Sequence, residues 1–71
     1  MLTKEMIKAI KAFEKEFKNK GVEIRTVYLL ESGWFQLFNI EFNVIALNKY
    51  YSVDVRVESD SVVVDSDIKE C

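Results

Sequence analysis

Between Phe38 and Val44 the chain alternates without a break: Phe38, Ile40, Phe42 and Val44 are apolar, and Asn39, Glu41 and Asn43 between them are polar. A two-residue period turns one set of side chains to a core and the other to water, the pattern of a half-buried β-strand. Trp34, Phe38, Phe42 and Ile45 also stand at helical spacing, but on a helix the polar residues would interrupt the stripe, and the aromatic content suits a strand. Trp34 to Leu47 therefore reads as the long central strand of a small antiparallel sheet.

The flanking segments read as its neighbours. Val22 to Leu30 makes a first strand, Tyr50 to Glu58 a third, and Ser61 to Asp65 a short fourth. Glu31-Ser32-Gly33 suits a three-residue hairpin loop with Gly33 left-handed, and Asn48-Lys49 suits a two-residue loop. These turns set the registers. The second hairpin pairs Val44 with Val53, Phe42 with Val55 and Ile40 with Val57, and it faces Glu41 with Arg56 as an ion pair and Asn43 with Asp54. The first pairs Leu30 with Trp34, Thr26 with Phe38, Ile24 with Ile40 and Val22 with Phe42, and brings Glu23 opposite Glu41. Both hairpins send the same face of the central strand inward.

Ahead of the strands, Met6, Ile10, Phe13 and Phe17 form one apolar stripe of a helix from about Thr3 to Asn19, with Thr3 as N-cap and Gly21 as the residue that ends it. Glu14 with Lys18 and Glu16 with Lys20 fall at i, i+4 spacing. The expected fold class is α+β: an N-terminal helix packed on one face of a three- or four-stranded antiparallel meander. Residues 1–71 form a single small domain, with 66–71, polar and acidic, expected as a frayed tail. A core of this size rarely supplies more than ~3–5 kcal/mol, so association is a natural source of further burial.

Composition narrows the function classes. The chain has no histidine and one cysteine, Cys71, which excludes a disulfide within the chain and the common zinc sites; no metal or cofactor is expected. With 49% hydrophobic and 31% charged residues, it reads as a soluble globule. Charges run through the N-terminal segment, which offers neither a signal-peptide core nor a membrane span, and the unpaired cysteine suits a reducing cytoplasm. Lysine outnumbers arginine eight to two and proline is absent, a bias seen in low-GC genomes and their mobile elements.

Three surfaces stand out. The register that buries Tyr28, Leu30 and Trp34 turns Val27, Leu29, Phe35 and Leu37 the other way. One helix cannot cover both faces of a sheet, so these four form an apolar patch that is either exposed for contact or folded back by a bend near Gln36. The second surface is a lysine ridge, Lys4, Lys8, Lys11, Lys15 and Lys18, which would track nucleic-acid phosphates or simply face solvent. The third is the acidic end, with Asp54, Glu58 and Asp60 followed by Asp65, Asp67 and Glu70. It would meet a basic partner, mimic a phosphate backbone or protect a sheet edge. Asp65-Ser66-Asp67 lacks the glycine and glutamate of a calcium loop.

No catalytic set is legible, because the usual nucleophile and base combinations need residues this chain lacks; Glu23 beside Glu41 is the one carboxylate pair to weigh, with Arg25 and Arg56 near enough to neutralise it. The expectation is a non-catalytic protein-interaction module whose partner is another protein or a second copy of the chain, with nucleic-acid binding as the alternative. A viral or mobile-element inhibitor that occupies a host protein's surface and a homodimeric accessory protein both answer to that description.

Overall fold

A computed structural model describes residues 3–65 and 67–71. The helix α1 (Lys4–Glu16) is followed by β1 (Val22–Ser32), β2 (Gln36–Val44), β3 (Lys49–Val57), β4 (Val62–Val64) and β5 (Lys69–Glu70). The strands form one antiparallel sheet in the order β1-β2-β3-β4, with β5 also on β3. This is the α+β helix-plus-meander arrangement expected from the hydrophobic pattern.

Thr3 caps α1: its backbone is extended, and its hydroxyl oxygen accepts from the Met6 N–H at 3.1 Å. Removing such a cap costs about 1 kcal/mol, so Thr3→Ala should lower Tm by about 4–8 °C in a circular-dichroism melt. The helix ends at Glu16 and not at Asn19. Asn19 and Gly21 both take positive φ, 63° and 66°, and turn the chain into β1. Lys18 and Lys20 thus lie beyond the helix, and the expected pairs with Glu14 and Glu16 do not form.

The core is Ala9 and Phe13 of α1 against Phe38, Ile40 and Phe42 of β2 and Val53, Val55 and Val57 of β3. Phe13, Phe17 and Phe42 form an aromatic cluster, with ring centroids 4.6 to 5.1 Å apart. The helix lies over β2, β3 and β4 and meets the base of β1, where Phe13 and Phe17 line a groove with Val22 and Ile24.

The second hairpin keeps its expected faces but not its register. Its turn is four residues, Ile45 to Asn48, where the sequence suggested two. Asn48 takes φ 51°, which asparagine tolerates, and its N–H donates to the Val44 carbonyl at 2.8 Å. Phe42 therefore faces Tyr51, Ile40 faces Val53 and Phe38 faces Val55. The shift is even, so apolar still meets apolar. Polar partners change: Glu41 faces Ser52, Arg56 faces Leu37, and the Glu41–Arg56 ion pair is replaced by Arg56 with Glu58 at 2.8 Å.

The first hairpin departs further. Its loop is Gly33-Trp34-Phe35, and Gly33 is not left-handed. Two irregularities interrupt β1, one between Ile24 and Thr26 and one between Leu29 and Glu31. Each inserts an extra residue, Arg25 and Leu30, and each exchanges the faces beyond it. Val27 now faces Ile40 and Leu29 faces Phe38, on the helix side, while Thr26 faces Glu41 and Tyr28 faces Asn39 on the outer side.

The expected frayed tail is ordered at its end. Lys69 and Glu70 pair with Ser52 and Tyr51, and the Cys71 N–H donates to the Tyr50 carbonyl at 3.0 Å. Ser66, within that expected tail, lies outside the described residues. β4 and β5 thus cover successive parts of one edge of β3, and Lys49 at the start of β3 meets Glu70 at 3.8 Å.

Candidate functional site

The bulges in β1 redistribute the apolar surface. Of the four residues expected to share an outer patch, Phe35 and Leu37 are half-buried on the outer side, where the Arg56 guanidinium lies 4.0 Å from the Phe35 ring centroid. Val27 and Leu29 lie on the opposite side: Val27 packs against the core, and Leu29 stays 51% exposed.

Tyr28, Leu30 and Trp34, expected in the core, are exposed. Trp34 is 100% exposed at the tip of the loop, and Leu30 is 56% exposed on the outer side, where it lines a depression with Asn39, Ser52 and Asp54. The sequence signal for these was the apolar run on both faces of residues 34–37, which no one-sided sheet accommodates. The first hairpin thus carries apolar side chains on both faces and a bare indole at its end. Large apolar groups exposed together on one element are the usual mark of a contact surface, and tryptophan is enriched at the energetic centre of such surfaces.

The outer face divides along its length. Near the hairpin tip Leu37 and Arg56 line a shallow depression with Asp54, Val63 and Asp65. In the middle, Asn39 Nδ2 donates to Asp54 Oδ1 at 2.9 Å. Further along, Arg25 lies over Tyr50, 4.6 Å from the ring centroid, and Asn43 Oδ1 is shielded from solvent without a hydrogen-bond partner among the described residues.

The acidic residues do not form one edge. Asp54, Asp65 and Asp67 come together on the outer face beside Lys69, and Asp65 Oδ1 accepts from the Asp67 N–H at 3.0 Å. Glu58 is held by Arg56, and Asp60 sits in the exposed turn before β4. No group of three acids or thiols among the described residues is placed to hold a metal ion; Ser66 of the Asp65-Ser66-Asp67 stretch lies outside them. Glu23 faces Asn43 and Glu41 faces Thr26, so the carboxylate pair considered from the sequence is not assembled. Lys4, Lys8, Lys11 and Lys15 are exposed along α1, with Lys18 in the turn that follows. Among the described residues no helix is long and apolar enough to cross a membrane.

The chain matches no protein-family model, no curated protein and no solved structure.

Proposed function

We propose that this chain is a non-catalytic protein-interaction module that acts by inserting the tip of its first hairpin into a partner protein. Trp34 is the anchor, with Phe35 next to it and Leu29, Leu30 and Leu37 on the two faces of the hairpin behind it. The single observation that supports this most is the complete exposure of Trp34 on a hairpin braced at its base by the buried core. An exposed indole on a rigid support buries a large apolar surface on docking at little ordering cost. Arg56, Glu58 and Asp60 provide a charged rim beside it. A reducing cytoplasmic setting suits the free, exposed Cys71. Within this class, a viral or mobile-element inhibitor that occupies a host protein's surface fits a small module with one projecting contact.

The test is capture of a partner from the native host by tagged wild type, Trp34→Ala and, as control, Lys11→Ala on the far helix face. Trp34→Ala should lose the partner that wild type and the control retain, with a cost of about 2 kcal/mol or more in affinity, while its circular dichroism and melt stay those of wild type. Equal capture by Trp34→Ala would overturn the reading.

A further inference from the structure

We infer that the free edge of β1 recognises a second copy of this chain: two β1 strands pair antiparallel about a two-fold axis at Tyr28 and join two sheets into one. This goes beyond the function proposed above, since it rests on the strand edge and not on the hairpin tip.

The two sides of the sheet are treated differently. β3 is covered by β4 and β5, which are short. β1 is eleven residues long, and among the described residues nothing pairs with its outer edge. A long unpaired edge is a template for another strand.

The bulges say which strand. Ile24, Val27, Leu29 and Ser32 face the helix side, as their β2 partners Phe42, Ile40, Phe38 and Gln36 require. Thr26, Tyr28 and Glu31 face the outer side with Glu41, Asn39 and Leu37. The two inserted residues are also on the outer side: Arg25 reaches Tyr50 there, and Leu30 lines the outer depression with Asn39. From Ile24 to Ser32 the order is helix side, outer, outer, helix side, outer, helix side, outer, outer, helix side. It reads the same in both directions about Tyr28.

An antiparallel pair centred on Tyr28 therefore sets every residue against one on its own face. Val27 meets Leu29 of the second copy on the helix side, Thr26 meets Leu30 and Arg25 meets Glu31 on the outer side, and each contact occurs twice by symmetry. Centring on Val27 would set outer Arg25 against helix-side Leu29 and would oppose Glu23 to Glu31. Centring on Leu29 would set Val27 against Glu31. A regular foreign strand falls out of step at both bulges, whereas a second copy brings a matching bulge to each. Arg25, now over Tyr50, is exposed and long enough to turn to the Glu31 carboxylate.

The experiment is mass by light scattering over a concentration series for wild type, Arg25→Glu, Glu31→Arg and the double exchange, with circular dichroism confirming that each is folded. Wild type should move from the 8.3 kDa of one chain to twice that mass as concentration rises. Each single variant opposes like charges twice and should dimerise about tenfold or more weakly; the double exchange should recover wild-type dimerisation. A wild type that stays at one-chain mass throughout, single variants that dimerise as wild type does, or a double exchange that fails to recover would each overturn the proposal. Trp34→Ala should leave the mass curve unchanged, so the two readings fail separately.

Discussion

Phe42→Ala should leave most of the protein unfolded at room temperature. Phe42 is 1% exposed, and its ring lies 5.0 Å from that of Phe13, 5.1 Å from Phe17 and 6.2 Å from Tyr51, centroid to centroid. It joins the helix to β2 and β3. Truncating a buried phenylalanine costs about 3–5 kcal/mol, counting both the lost transfer energy and the cavity left behind. A core in a domain of this size supplies ~3–5 kcal/mol in all, so little remains. Phe35→Ala is the contrasting case. Its half-buried ring lies under Arg56, 4.0 Å from the centroid, and the loss should be about 1 kcal/mol. Circular dichroism without denaturant reads the first, and urea midpoints compare the second with wild type. A Phe42→Ala midpoint equal to that of wild type would mean that α1 does not pack on this face of the sheet.

The difference between these two phenylalanines was partly legible in the sequence. The alternation from Phe38 to Val44 identified Phe38, Ile40 and Phe42 as inward, and all three are fully buried. Val53, Val55 and Val57 followed as inward residues of β3, and they are buried although the turn is two residues longer than expected and each has a different partner. An even shift moves each residue to a new neighbour without changing its face. The helix stripe of Met6, Ile10, Phe13 and Phe17 was largely readable: Met6, Phe13 and Phe17 pack on or in the core, while the second buried helix position is Ala9 and not Ile10.

What could not be read was the backbone of β1. VEIRTVYLLES carries no glycine or proline to mark an irregularity, and its apolar residues fit an unbroken strand as well as a bulged one. Each bulge is an odd insertion, and an odd insertion exchanges every face beyond it. That is why Val27 and Leu29 were expected outside while Tyr28 and Leu30 were expected inside; Trp34 differs because β2 begins only at Gln36 and leaves it in the loop. The pairing at β5 was hidden for a different reason: two polar residues, Lys69 and Glu70, join the sheet through backbone hydrogen bonds and a surface ion pair of Glu70 with Lys49, which leave no hydrophobic pattern.

Val27→Asp and Tyr28→Asp should separate sharply in stability, in the order Val27 far worse than Tyr28. Both residues lie in the four-residue stretch between the bulges, one step apart and with nearly identical local sequence. Val27 faces Ile40, which is 0% exposed, and packs against the core; Tyr28 faces Asn39 and is 46% exposed. A carboxylate at position 27 would lie against the apolar side chains of the core, at a cost of about 2–3 kcal/mol. At position 28 the carboxylate remains in water, and the loss of an aromatic strand residue costs less than about 1 kcal/mol. Melts should be recorded at concentrations dilute enough to keep any dimer dissociated, so that Tyr28 is measured on a free edge. In an unbulged β1 the order would reverse, since Val27 would then face water and Tyr28 the core. The measured order therefore tests the bulge at Arg25 directly, and with it the face assignments on which both the hairpin contact and the paired edge depend.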